Sequence, residues 1–330
     1  MGTGSVAAKL KYHAAEAGGV RALAGTASVA GVPLGWSPCY LISRLVQRPM
    51  RLVINRFMTL QRGRLLSCAV LLLLLQITNS TAQNKVPADQ PSPRSDQNSM
   101  TAHQELLEKA RKGHIKIYFL GDSITRRWGT SDDQYKHFLA NWRQNFFGWN
   151  AANFGWGGDT TQNILWRLHN GELDNVNPRI IVLLAGTNNV GNKSPQSNDD
   201  PRIDDITHGI KAILDFSRQK APKATIVLMG IFPRNDNMAV MPIINQINER
   251  IATFADGKKI RFVNINDQLA DKEGKLFDGM TVPDKLHLDL KAYQIWADAL
   301  KPIFTQLLGP PAKEDNAPPP TGDPSARKPN

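Results

Sequence analysis

Cysteine is almost missing from this 330-residue chain: there are two, Cys39 and Cys68, and both precede residue 82. Everything after that point is therefore without disulfides, thiolate nucleophiles or cysteine-ligated metal. Long apolar runs are scarce as well. Leu65–Leu75 (LLSCAVLLLLL) is a marked one, and it falls well short of the ~20 residues that cross a bilayer. Basic excess is absent from the body of the chain, although the formal net charge is +11. Residues 1–82 hold nine of the 40 Lys and Arg and one of the 29 acids, which leaves 31 basic against 28 acidic residues beyond them. That balance excludes a polyanion-binding surface and argues against nucleic acid as a partner. H-E-x-x-H and an EF-hand loop are lacking, so no metal or cofactor is expected. The glycine loop Gly155-Trp156-Gly157-Gly158-Asp159-Thr160 does not complete the G-x-G-x-x-G of a dinucleotide site, and no suitably placed acid follows the next strand.

What is present begins with a leader. Arg62 and Arg64 precede the apolar run, and Ser80 and Ala82 occupy the −3 and −1 positions of a cut after Ala82. A basic flank, a short apolar core and a small-x-small site predict a secretory signal at 58–82. The expected location is secreted or periplasmic, with no stable membrane insertion after cleavage. Cys68 opens the run instead of closing it, which speaks against a lipid-modified cysteine. Residues 1–57 carry no periodicity, and a signal normally opens a chain, so Met58 is read as the true start and 1–57 as a mis-assigned extension. Residues 83–100 read as a disordered linker and 309–330 as a disordered tail, both too polar and proline-rich to pack. One domain, 101–308, lies between them.

In that domain strands alternate with helices. Ile115–Leu120, Ala151–Phe154, Ile180–Ala185, Thr225–Met229 and Ile260–Val263 are short apolar runs of β-formers. Helical periodicity covers Asp132–Phe146, Asp159–His169 (with Asp159 as N-cap), Ile203–Gln219, Ile243–Ala255 and Lys291–Leu308. Five strands so separated predict an α/β fold: a three-layer α/β/α sandwich on a five-stranded parallel sheet, flavodoxin-like. Ligands of such sheets bind at the carboxyl ends of the strands.

The chemistry-bearing residues fall at that edge. Strand one runs into Gly121-Asp122-Ser123, a turn that would hold a serine hydroxyl at the sheet edge with its N–H at a helix start. Taken alone, such a triplet is usually a turn or N-cap, and Asp122 is read as a structural hydrogen-bonding residue. After strand two comes the glycine loop, and strand three ends in Gly186-Thr187-Asn188-Asn189, which offers a side-chain amide. A serine nucleophile needs a base. Of seven histidines, two have an Asp three residues earlier: His208 with Asp205, and His287 with Asp284. The first pair sits in a covering helix, where such spacing makes a surface neighbour pair. The second lies in a loop after Pro283 that can fold back on Ser123. Asp284 and His287 are therefore the expected partners. Trp156 and Trp166 read as packing residues.

Gly121-Asp122-Ser123, the Gly157-Gly158 turn, Gly186-Thr187-Asn188 and Asp284-Lys-Leu-His287 stand in the order of the four SGNH (GDSL) hydrolase blocks. The stretches 153–173 and 178–189 further resemble the catalytic subunits of platelet-activating-factor acetylhydrolases. The resemblance covers nearly all of 101–308. It implies that Ser123 attacks an ester carbonyl, His287 acts as base and Asp284 orients it. The Ser123 N–H, the Gly158 N–H and the Asn188 amide would then form the oxyanion hole. It implies a serine esterase on small acyl, chiefly acetyl, esters, and export suits O-acetyl groups on carbohydrate. A lysophospholipase or thioesterase acting on lipid acyl esters, and a non-catalytic carbohydrate-binding protein on the same fold, are the alternatives. The resembling subunits associate as dimers, so a homodimer is a further expectation.

Overall fold

The computed structural model describes residues 85–327. The readings of residues 1–57 and of the signal at 58–82 lie outside the described residues. The element order is α1 (Gln97–Arg111), β1 (Ile117–Gly121), α2 (Ser123–Trp128), α3 (Lys136–Phe146), β2 (Ala151–Asn153), α4 (Thr161–Arg167), β3 (Ile180–Leu184), α5 (Thr187–Val190), α6 (Arg202–Lys220), β4 (Thr225–Met229), α7 (Met241–Ala252), β5 (Ile260–Val263), α8 (Asn266–Leu269) and α9 (Leu290–Leu308). The strands form one parallel sheet in the order β2-β1-β3-β4-β5. This is the α/β architecture expected, and its strand order puts the topological switch between β1 and β3.

The continuous apolar character of β1, β3 and β4 follows from burial on both faces, because successive side chains point to opposite sides. Tyr118, Leu120, Ile181, Leu183, Ile226 and Leu228 face the layer of α1, α4, α6 and α7, where Ile206, Ile210, Ile213 and Ile247 are fully buried. Ile117, Phe119, Ile180, Val182, Val227 and Met229 face α2, α3 and α9. That second layer is aromatic: Trp128, Trp142, Phe146, Trp296 and Phe304 crowd around Phe119, and Tyr293 stacks on Trp128. Each side chain of that size contributes roughly 1.5–3 kcal/mol on burial, which makes this layer a stiff support for the elements carrying Ser123 and His287. Among the described residues no helix is long and apolar enough to cross a membrane.

The described parts of both segments read as disordered, 85–100 and 309–327, are packed, which corrects that reading. Ala88 is fully buried. Its N–H donates to Asp205 Oδ1 (2.7 Å), and its carbonyl accepts from Thr161 Oγ1 (2.7 Å). Asp96 then caps α1 by accepting from the Ser99 N–H at 2.8 Å, so the domain's first helix starts before residue 101. The tail lies across the β2 edge. Ala312 N–H donates to the Gly148 carbonyl (2.9 Å), Asp315 Oδ2 accepts from the Gly148 and Asn150 N–H groups (2.7 and 3.2 Å), and the Thr321 carbonyl accepts from Ser131 N–H (3.3 Å). Polar segments are held here by side-chain-to-backbone hydrogen bonds, which hydropathy does not register. A third correction concerns Asp159. The N-cap of α4 is Thr160, in a capping box with Asn163, while Asp159 is buried and paired with Arg167.

Candidate active site

β1 delivers the chain to the sheet edge at Gly121. Asp122 is the N-cap of α2, its Oδ1 accepting from the Ile124 N–H at 2.9 Å, so Ser123 is the first helical residue and its own N–H has no acceptor among the described residues. The structural part read for Asp122 is the one seen. Burial pushes its carboxyl up to about 7, against the opposing pull of the Ile124 N–H.

His287 and Asp284 come from a tight hairpin. Thr281 pairs with Leu288, Val282 N–H donates to the His287 carbonyl (3.0 Å), and Lys285 turns the chain at φ 57°. Within it Asp284 Oδ1 accepts the Leu286 and His287 N–H groups at 3.0 and 2.9 Å, leaving Oδ2 at 2.7 Å from His287 Nδ1. The opposite ring nitrogen, Nε2, is 2.8 Å from Ser123 Oγ. The three residues named from sequence thus form one continuous chain of hydrogen bonds. Asp205 and His208 are not part of it, and Asp205 instead ties down the segment at Ala88.

The glycine loop lies beside the serine. Gly155 approaches so closely that a Cβ there would sit 2.5 Å from Arg126 N and 2.8 Å from the Asp122 carbonyl, which leaves room for glycine alone. Trp156 N–H donates to the Gly121 carbonyl (3.1 Å) and anchors the loop to the end of β1. Gly158 has φ +77°, and its N–H has no acceptor among the described residues. Asn188 is the second residue of α5, which follows β3. Its Nδ2 spends one hydrogen on the Asp159 carbonyl at 2.8 Å, and an amide has a second to give. Trp156 is buried, with its indole N–H on Ser99 Oγ (2.8 Å) and Arg126 stacked over it at 4.7 Å, as a packing residue should be.

Charge is arranged around the histidine in two layers. The His287 ring is 12% exposed, and burial is the main cause that lowers its pKa, followed by the Arg127 guanidinium, with Asp284 opposing. For Asp284, burial works upward, but the His287 and Leu286 N–H groups and the imidazole outweigh it, and its pKa lies below the ordinary value. Beneath the glycine loop, Arg167 is sealed from solvent. It donates to Asp159 Oδ2 (2.8 Å), Glu172 and the Phe154 carbonyl (3.1 Å), and His103 closes on Glu172 from the other side at 2.8 Å. Among the described residues no group of three or more His, Cys, Asp or Glu is arranged to hold a metal ion.

Residues 119–295 match the model of the GDSL-like lipase/acylhydrolase family. The chain belongs to this family. Over 244 residues it is 30% identical to the platelet-activating factor acetylhydrolase IB subunit alpha1 of Bos taurus, covering 72% of this chain and 97% of that one. The Homo sapiens counterpart is 31% identical over 228 residues, 67% and 91% of the two chains. A GDSL-like lipase of Bacteroides thetaiotaomicron shares the fold with a TM-score of 0.50 at 20% identity, covering 62% of this chain and 98% of the other. This GDSL acylhydrolase is thus an ester hydrolase with acetylhydrolase relatives.

Sequence reading passed over two residues that brace the hairpin. Arg127 Nη1 lies 3.3 Å from Asp284 Oδ2. It stands four residues after Ser123, one helical turn along the same face, which is the signal that could have found it. Asn235, in the loop after β4, donates its N–H to the Lys285 carbonyl at 2.8 Å, while its side chain spans Leu276 N (2.8 Å) and the Gly274 carbonyl (2.9 Å). Its signal is its place, in a loop leaving the carboxyl end of this sheet, where ligands of such folds bind.

Proposed function

We propose that this GDSL acylhydrolase cleaves short acyl esters, chiefly acetyl esters, by an acyl-enzyme route on Ser123. The observation that carries the reading is the relay Ser123 Oγ–His287 Nε2 (2.8 Å) and His287 Nδ1–Asp284 Oδ2 (2.7 Å). In this route His287 accepts the serine proton as Oγ bonds to the carbonyl carbon, and the resulting imidazolium faces the Asp284 carboxylate. The developing oxyanion is met by the N–H groups of Ser123 and Gly158 and by the free hydrogen of the Asn188 amide. His287 then returns the proton to the leaving alcohol, and a water molecule repeats the sequence to release the acid. The burial that lowers the His287 pKa keeps the imidazole neutral, and so able to accept a proton, at neutral pH.

The acetyl preference is supported by the relatives at 30–31% identity, whose names are those of acetylhydrolases. The alcohol we propose is carbohydrate bearing O-acetyl groups. It rests on the expected export of the chain through the leader ending near Ala82, and places the enzyme outside the cytoplasm. The test is hydrolysis of p-nitrophenyl esters from acetate to laurate, beside Ser123→Ala, followed by acetylated polysaccharide and an acetyl phospholipid. Acetate turnover abolished by Ser123→Ala, with acetate released from the polysaccharide, supports the whole reading. Preference for laurate or for the phospholipid overturns the substrate, and activity that survives Ser123→Ala overturns the nucleophile.

A further inference from the structure

The Gly158 N–H, which the proposed mechanism uses as an oxyanion donor, belongs to a peptide group that could easily face the other way. Trp156–Asp159 is a four-residue turn closed by Asp159 N–H on the Trp156 carbonyl at 3.4 Å, and its third residue, Gly158, has φ +77°. That angle belongs to a type II turn. Types I and II differ by a flip of the central peptide, here the one linking Gly157 to Gly158. With glycine on both sides, neither form is excluded by side-chain sterics. The turn needs an external hold if its N–H is to point at substrate.

Arg94 supplies it. Its Nη1 donates to the Gly157 carbonyl at 2.8 Å. In a planar trans peptide the carbonyl and the following N–H point in opposite directions, so fixing the Gly157 oxygen outward fixes the Gly158 N–H on the other side. The guanidinium is itself held: Nη2 is 3.0 Å from Asp96 Oδ2, and Nη1 is 3.5 Å from the buried Asp159 Oδ1. Asp96 is in turn fixed as the N-cap of α1 through the Ser99 N–H. A rigid helix, its capping carboxylate, Arg94 and the glycine peptide therefore make one chain of contacts, reaching 63 residues along the sequence.

We infer that Arg94 is a positioning residue of the oxyanion hole: by holding the Gly157 carbonyl it selects the turn in which the Gly158 N–H faces the tetrahedral intermediate. The inference rests on the serine reading above. An interaction that matters only when the oxyanion forms changes kcat and leaves KM nearly alone.

The experiment compares the wild-type protein, Arg94→Met, Arg94→Lys, Arg94→Ala and Ser123→Ala on p-nitrophenyl acetate. Trifluoroacetophenone serves as a probe whose serine hemiketal places an oxyanion in the hole. Arg94→Met is expected to lower kcat about ten- to hundredfold, below the full loss of one oxyanion donor, with KM unchanged within about twofold. The inhibition constant of the ketone rises in proportion, Arg94→Lys retains part of the rate, and added guanidinium ion restores part of it to Arg94→Ala. The Gly158 amide resonance of the 15N-labelled protein shifts or doubles in Arg94→Met. Wild-type turnover in Arg94→Met beside an inactive Ser123→Ala overturns the inference and leaves the serine reading standing. A fall in kcat with unchanged ketone inhibition also overturns it, since a general disturbance would do that. Should Ser123→Ala remain active, the serine reading fails, and the Gly158 resonance alone decides whether Arg94 holds the peptide: an unchanged resonance overturns it.

Discussion

Replacing Arg167 by methionine puts the buried charges under the glycine loop to a direct test. The Arg167 side chain is 4% exposed and satisfies three acceptors: Asp159, Glu172 and the Phe154 carbonyl. Methionine keeps the packing of the stem and removes every donor. Breaking a buried pair by deleting one partner costs about 3–5 kcal/mol, because the charge left behind is neither hydrated nor paired. Against a typical total stability of about 5–15 kcal/mol, that is a large fraction. In a domain of this size it corresponds to a fall in Tm of about 10 °C. The loss has a pH signature. Burial already holds the Asp159 carboxyl up at about 6, even with Arg167 and Arg94 lowering it. A carboxyl raised in the folded state binds more protons folded than unfolded, so its contribution to stability is greatest at low pH and falls as pH rises through the window between the two pKa values. Removing Arg167 extends that window upward. The deficit of Arg167→Met relative to wild type is therefore expected to be smaller at pH 5 than at pH 8.

Urea unfolding followed by tryptophan fluorescence at the two pH values measures both quantities. Arg167→Met/Glu172→Gln should be less destabilised than Arg167→Met alone, since the second change removes one of the stranded charges. Activity follows the same chain of contacts: the Asp159 carbonyl holds Asn188 Nδ2 at 2.8 Å, so a shifted Asp159 misplaces an oxyanion donor and lowers kcat. A deficit under about 1 kcal/mol, or one independent of pH, would refute the picture of ionised carboxylates held by a sealed guanidinium.

Two further outcomes are expected. The acid limb of kcat/KM against pH should inflect below the ordinary histidine value, because burial first and Arg127 second disfavour the imidazolium; Arg127→Met moves that limb upward, and a limb that stays in place contradicts the assignment. Ending the chain at Gly309 removes the hydrogen bonds of Ala312, Asp315 and Thr321 to the segment before β2 and around Ser131, and Asp323 beside Arg126. At about 0.5–1.5 kcal/mol for each of the four hydrogen bonds, that should lower stability by roughly 2–6 kcal/mol, read as Tm, with kcat changed far less because Arg126 keeps Asp132 at 2.5 Å.

The sheet was legible because burial on both faces leaves an unbroken apolar run, and β3 or β4 can hardly be read otherwise. Once the strands were placed, their carboxyl ends pointed to Ser123, the glycine loop 155–160 and the 186–189 turn, and the family resemblance singled out Gly158 and Asn188 within them. The Asp284/His287 pair was legible because few residue types can serve as base and orienter, and only one such pair stood in a loop. Most of what stayed hidden shares one physical cause. Arg94, Ala88, Asp315 and Asp323 act through hydrogen bonds to groups far along the chain, and a pattern that looks only at neighbours cannot register a partner 63 or 167 residues away.

Composition even pointed the wrong way. The aspartates that made the tail read as too polar to pack are the groups accepting backbone N–H donors at Gly148, Asn150 and Ser325. Its prolines limit the freedom of the unfolded chain, so less entropy is lost when the tail lies down. Gly148 shows that the contact is built from both sides. At φ +88°, with the Ala312 carbonyl 2.2 Å from where a Cβ would stand, only glycine lets the tail cross there. Low hydropathy alone therefore does not argue for disorder when the segment carries acceptors and a rigid partner carries unpaired donors. Arg94 lies in the other such segment, so a residue proposed to shape the oxyanion hole stands where composition alone reads a linker.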